Sequence, residues 1–108
     1  MFTYNITFVV SPEKENELIE YIRRELIPRV FGENLCARDP QLRKLIEIGR
    51  EAPDSEHGLS IALAATFPTE ETAHQWYDHT LLPALTGFLQ KFGQHALYFT
   101  TLLQDLSL

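Results

Sequence analysis

FTYNITFVVSPEKENELIEYI, residues 2–22, changes period in its middle, and that change decides the fold. Phe2, Tyr4, Ile6, Phe8 and Val10 alternate with Thr3, Asn5, Thr7 and Val9, the two-residue repeat of a strand. Ser11-Pro12-Glu13 then supplies a cap, a first-turn proline and a first-turn acid, three signals that start a helix. Leu18, Ile19, Ile22, Leu26 and Val30 recur at helical spacing, and the helix is expected to end by Gly32.

The rest of the chain repeats the plan. GENLCARDP reads as a loop, residues 42–48 as a second strand, REAPDSEHG as a turn and residues 59–67 as a third strand. Pro68 ends that strand, Thr69 caps a second helix, and Ala73, Trp76, Tyr77, Leu81, Leu85, Phe88 and Leu89 form its expected buried stripe. Gly93 stops the helix, and residues 96–103 make a fourth strand. The order βαββαβ predicts an α+β, ferredoxin-like fold in one domain, residues 1–108. It consists of a four-stranded antiparallel sheet with both helices on one face and the first and third strands central.

Each helix carries an interior proline, in ELIPRVF (25–31) and TLLPALT (80–86). Pro28 cannot donate to the carbonyl of Arg24, nor Pro83 to that of His79, so each helix is expected to kink or restart there. An interior proline costs about 3 kcal/mol in helix propensity, so the bend must recover packing or free a carbonyl for a partner.

The sheet's other face would normally meet water with charged side chains. Residues 2–10, 59–67 and 96–103 contain no Asp, Glu, Lys or Arg. With the large residues turned to the helices, the outward set is expected to be Thr3, Asn5, Thr7, Val9, Ser60, Ala62, Ala64, Thr66, Ala96, Tyr98, Thr100 and Leu102. Such a face calls for a cover, and the economical one is a second copy placed sheet against sheet by a twofold axis, a homodimer. The small side chains of Ser60, Ala62 and Ala64 beside Thr3, Asn5 and Thr7 are expected either to permit close packing between sheets, the favoured reading, or to leave a polar-lined space.

Charge and composition exclude several classes. The 108-residue chain has a net charge of −6, and seven of its nine basic residues lie between Arg23 and Arg50. Arg23, Arg24 and Arg29 suit a helix C-terminus, and Arg43 with Lys44 suits an exposed strand edge. An anionic ligand or acidic partner is the alternative use of that segment. Nucleic acid is not expected, because phosphate binding needs a basic stripe on a basic domain. Nor is a membrane span, since no stretch nears the ~18 apolar residues required. Cys36 is the only cysteine, which points to the cytoplasm; neither a catalytic thiol nor a bound cofactor or metal is expected.

In their order along the chain, Tyr4-Asn5-Ile6-Thr7, Ile27-Pro28-x-Val30, Trp76-Tyr77, Pro83-x-Leu85, Phe92-Gly93 and Phe99-x-Thr101-x-Leu103 are similar to a bacterial domain-of-unknown-function family. The resemblance implies a ferredoxin-like fold akin to the dimeric α+β barrels, which include ring-oxidising monooxygenases, lactone isomerases and structural proteins. Relatives tend to carry arginine in the final strand where Thr100 stands here. The family brings no catalytic residue to carry over.

Among single residues, His79 is the catalytic candidate, because Pro83 leaves its carbonyl without a helical donor and Trp76 lies one turn away. Its plainer reading is a partly buried histidine. Asn5 and Thr7 on a central strand, with Trp76, are the ligand-binding candidates; the plainer reading of Asn5 and Thr7 is hydrogen bonding that fixes strand or dimer pairing. Glu71-x-x-His74 lacks the second pair a di-iron site needs, and His74 and His79, five apart, diverge by ~140° around the helix, which excludes a shared ligand face. His57 and His95 are expected at the surface. Two readings of function stand: a noncatalytic module that binds a small hydrophobic ligand or a partner, and a cofactor-independent enzyme, monooxygenase- or isomerase-like, acting on a small hydrophobic or aromatic substrate.

Overall fold

A computed structural model describes residues 1–32, 36–46 and 59–107. Four strands, β1 (Phe2–Val10), β2 (Arg38–Lys44), β3 (Leu59–Phe67) and β4 (Ala96–Gln104), form one antiparallel sheet in the order β2-β3-β1-β4. Two helical arms cover one face. The first runs through a short 3₁₀ turn, α1 (Glu15–Tyr21), a π-helical segment (Ile22–Leu26) and α2 (Ile27–Val30). The second runs through α3 (Glu70–Trp76), a π-helical segment (Tyr77–Leu81) and α4 (Leu82–Phe92). This is the ferredoxin-like α+β fold that the order of elements predicts.

The prolines do mark restarts, through a device the sequence reading did not include. In each arm a wide turn precedes the proline: Ile27 N–H donates to Ile22 O and Leu82 N–H to Tyr77 O, both across five residues. Pro28 and Pro83 then occupy the second position of the restarted helix, where a missing N–H costs least.

The core lies between sheet and arms. Tyr4, Ile6, Phe8 and Val10 from β1 and Ile61, Leu63, Ala65 and Phe67 from β3 pack on Leu18, Ile22, Leu26, Val30, Trp76, Leu81, Leu85, Phe88 and Phe92. Phe92 takes the buried place that the expected stripe gave to Leu89, which is exposed. Thr69 caps α3 as expected, accepting from Thr72 N at 3.1 Å. Ser11 does not cap its helix; its N–H and Oγ both donate to His95 O, at 2.9 and 3.1 Å, and tie the end of β1 to the start of β4.

Strand β2 begins four residues earlier than its hydrophobicity suggests. Asp39, at φ 51°, and Pro40 lie within a bulge between Arg38 and Gln41, so the ladder runs into the end of the expected GENLCARDP loop. Beyond Lys44, Leu45 N–H to Ser60 O extends the pairing by one bond, and both Leu45 and Ile46 are exposed. The rest of the expected strand, the turn after it and His57 lie outside the described residues.

Candidate functional site

The pairing register settles which side chains share the uncovered face. Val10 opposes Ala96, Phe8 opposes Tyr98, Ile6 opposes Thr100 and Tyr4 opposes Leu102. Directly opposed residues share a face, so Ala96, Tyr98, Thr100 and Leu102 point toward the helices, correcting their expected place on the outer face. Leu97, Phe99, Thr101 and Leu103 point outward instead. The alternation in ALYFTTLLQ is apolar on both sides, which is why hydrophobicity alone gave the wrong phase.

The corrected outer face is more apolar than expected. Leu97, Phe99 and Leu103 are 56%, 53% and 51% exposed. Beside them lie the small residues Ser60, Ala62, Ala64 and Thr66 of β3 and Thr3, Asn5, Thr7 and Val9 of β1. Asn5 Nδ2 donates to Thr7 Oγ1 at 3.0 Å along the strand. Among the described strands, charge enters from edge strand β2 alone, where the Arg43 guanidinium is hydrogen-bonded to Gln41 Oε1.

Trp76 belongs to the opposite side. It is buried under the first arm and its Nε1 donates to Val30 O at 2.9 Å, joining the end of one arm to the other. Its ring is 6.0 Å from Tyr4 and 5.1 Å from Phe67. Tyr4 stacks on Tyr77 at 5.3 Å with 7° between planes. Asn5 and Thr7 therefore do not share a site with Trp76; the sheet stands between them.

Half-buried Tyr77, Tyr98 and Thr100 gather around the buried Tyr4 phenol on the helix side of β1 and β4. Burial raises the Tyr4 phenol, the Thr100 hydroxyl works against that shift, and Tyr77 and Asp78 reinforce it. Burial, then Tyr77, raises Tyr98 as well. The sequence reading missed this group because it depends on the phase of β4.

His79 is exposed on the π segment, away from the buried side that holds Trp76 and Leu81. His74 is exposed and sits 3.4 Å from Glu70, not Glu71. His95 is exposed, as expected, and so is Cys36. Among the described residues, no three His, Cys, Asp or Glu side chains are grouped as metal ligands and every buried side-chain nitrogen or oxygen has a hydrogen-bond partner. No helix among them is long and apolar enough to cross a membrane.

A four-stranded antiparallel sheet, backed by two helical arms and bare on the other face, defines a ferredoxin-like α+β protein. The chain belongs to the family described as "Domain of unknown function (DUF4286)", whose pattern matches residues 1–106. No curated protein matches the sequence. Solved structures share the fold. An ethyl tert-butyl ether degradation (EthD) family protein from Bacillus halodurans superposes with a TM-score of 0.69 at 13% identity, covering 98% of this chain and 100% of its own. An antibiotic biosynthesis monooxygenase does so with a TM-score of 0.63 at 13% identity, covering 99% and 100%. A point mutant of MhuD, solved with two manganese protoporphyrin IX molecules per active site, has a TM-score of 0.69 at 11% identity, covering 99% and 96%. At these identities the likeness speaks for the fold alone.

Proposed function

We propose that the chain is a single ferredoxin-like domain that pairs with a second copy, sheet against sheet, into an α+β barrel. We further propose that it serves in the cytoplasm as a noncatalytic module binding a small hydrophobic ligand or a partner. The observation that carries the pairing is the outer sheet face, with no charge on three strands and Leu97, Phe99 and Leu103 about half exposed. Monomers rarely leave such a patch to water. Four strands ~4.8 Å apart and about nine residues long at ~3.4 Å each give roughly 600 Å² in projection, which side-chain relief brings near the ~800 Å² per partner of a standard interface. The single cysteine supports the cytoplasmic assignment.

Light scattering on a sizing column tests the pairing: the expected mass is about 25 kDa, twice the 12.5 kDa chain, and a 12.5 kDa species at micromolar concentration overturns it.

A second reading, a cofactor-independent enzyme for a small hydrophobic or aromatic substrate, draws on the fold shared with a monooxygenase and on the Tyr4, Tyr77 and Tyr98 phenols beside a π segment. In that reading Asn5 and Thr7, enclosed between paired sheets, or His79 on the arm would contact substrate. A thermal-shift screen of small metabolites separates the two. A ligand at a hundred times its dissociation constant adds ~2.7 kcal/mol of stability; a hit recovered unchanged fits the module, and a hit consumed fits the enzyme.

A further inference from the structure

A cavity of about 120 Å³ opens between the first helical arm and edge strand β2, lined by Ile19, Arg23, Leu42, Arg43, Lys44 and Ile61. Ile19, Leu42 and Ile61 make an apolar floor. Arg23 and Lys44 stand at the rim, with side chains 63% and 44% exposed. The sequence concentrates its basic residues in this part of an acidic chain, and the fold brings three of them to one opening.

Among the described residues, their ion pairs leave donors to spare. Glu20 holds Arg24 Nε at 2.9 Å, while Arg23 Nη1 reaches the same carboxylate only at 3.6 Å, beyond the ~2.7–2.9 Å of a strong charge-assisted hydrogen bond. Lys44 Nζ lies 2.6 Å from Glu15, which occupies one of three ammonium protons. Arg43 turns its guanidinium to Gln41 and supplies wall rather than charge. A purely apolar ligand would leave the rim donors unused, a neutral oxygen would accept from them more weakly than a carboxylate, and an inorganic anion would leave the floor bare.

We infer that this groove binds a small amphipathic carboxylate, its tail of about four to six carbons on Ile19, Leu42 and Ile61 and its carboxylate on Arg23 and Lys44. The size follows from volume, since a cavity of ~150 Å³ accepts benzene and here the polar head remains at the open mouth. The inference deepens the small-ligand part of the proposed function and rests on that reading. Ile19, Arg23, Leu42, Lys44 and Ile61 lie on the helix side of the sheet edge and only Arg43 belongs to the face proposed for pairing, which light scattering reads separately, so each can fail alone.

Hexanoate and hexanol, titrated separately into the ¹⁵N-labelled full chain and followed by amide NMR shifts, provide the test. Hexanoate is expected to saturate with a dissociation constant on the order of 1 mM, an affinity in keeping with eight heavy atoms, with the largest shifts around Ile19, Leu42 and Ile61. Hexanol is expected to bind at least about tenfold more weakly, and Arg23→Gln to weaken hexanoate about tenfold. Leu42→Glu, which sets a carboxylate in the groove, should abolish saturation, while light scattering reports pairing independently. Shifts that never saturate, that scatter over the surface, that hexanol reproduces equally, or that survive both substitutions overturn the inference.

Discussion

Phe99→Glu is the sharpest perturbation of the proposed pairing. Fully burying a leucine or phenylalanine is worth ~1.5–3 kcal/mol. Leu97, Phe99 and Leu103 retain about half of their surface in the single chain, so covering each contributes about 1 kcal/mol, or about 6 kcal/mol for the six in a symmetric pair. Glutamate at position 99 removes that gain in both copies and strands a carboxylate between the sheets. The effective penalty for such an ion is several kcal/mol; taking only ~2 kcal/mol, the pair loses about 6 kcal/mol, a rise of more than ~10⁴ in dissociation constant. The isolated chain should fold as before, since an exposed substitution shifts stability by about ±0.5 kcal/mol. Sedimentation equilibrium across micromolar concentrations, with circular dichroism as a check on folding, reads the outcome. Leu89→Glu, equally exposed but on the outside of α4, serves as control and should leave the mass unchanged. A folded Phe99→Glu protein whose dissociation constant stays within tenfold of the parent's would refute the reasoning, and equal effects from both variants would show that the face is not specific.

Trp76→Phe leaves the Val30 carbonyl oxygen without its buried donor and should cost about 1–3 kcal/mol, read as a lower urea midpoint; a loss under about 0.5 kcal/mol would show that the carbonyl finds another partner. Thr69→Ala removes the α3 cap and is expected to cost about 1 kcal/mol, while Thr69→Ser should retain most of it. Tyr4, Tyr21 and Tyr98 are all raised above the ordinary phenol value, chiefly by burial. The unfolded chain therefore releases these protons near pH 10 while the fold still holds them. Their contribution is complete below pH ~10 and is lost as pH climbs from there through the folded pKa values; urea midpoints that did not fall across this range would contradict the burial of the phenols.

How far the sequence leads depends on whether local period and burial agree. In β1 they do: large and small residues alternate strictly, so Tyr4, Ile6, Phe8 and Val10 are legible as core. In β4 both phases are apolar, and only the partner strand decides between them. The charge-free outer face survives the swap because neither set contains an ionised residue. The outward Leu97, Phe99 and Leu103, and the phenol group beside Thr100, become visible only with the register. Strand β2 eluded its composition for another reason: a bulge lets Asp39 and Pro40, ordinarily turn residues, sit within an edge ladder. The groove beside it unites residues 19 and 61, a proximity no local pattern encodes.

The two prolines and the two wide turns form one device. In the first arm the fully buried residues Leu18, Ile22, Leu26 and Val30 are spaced by four throughout. On a regular α-helix each such step overshoots a full turn by ~40°, and three steps would carry Val30 ~120° off the sheet. The wider turn at Ile22–Leu26 takes back much of the overshoot and keeps these residues on the side facing β1 and β3. In the second arm the correction falls within a single step: Trp76 and Leu81, five residues apart, would diverge by ~140° on a regular helix, yet both are buried across the π segment. The same shift resets the stripe downstream, so that Phe88 and Phe92 face the core and Leu89 faces water. Proline on the far side of each turn suits this arrangement, because an i→i−4 bond from position 28 or 83 cannot form and compete with the wide turn. The spacing of buried residues therefore demands a local change of helical pitch, and the prolines permit it at matching places in both halves.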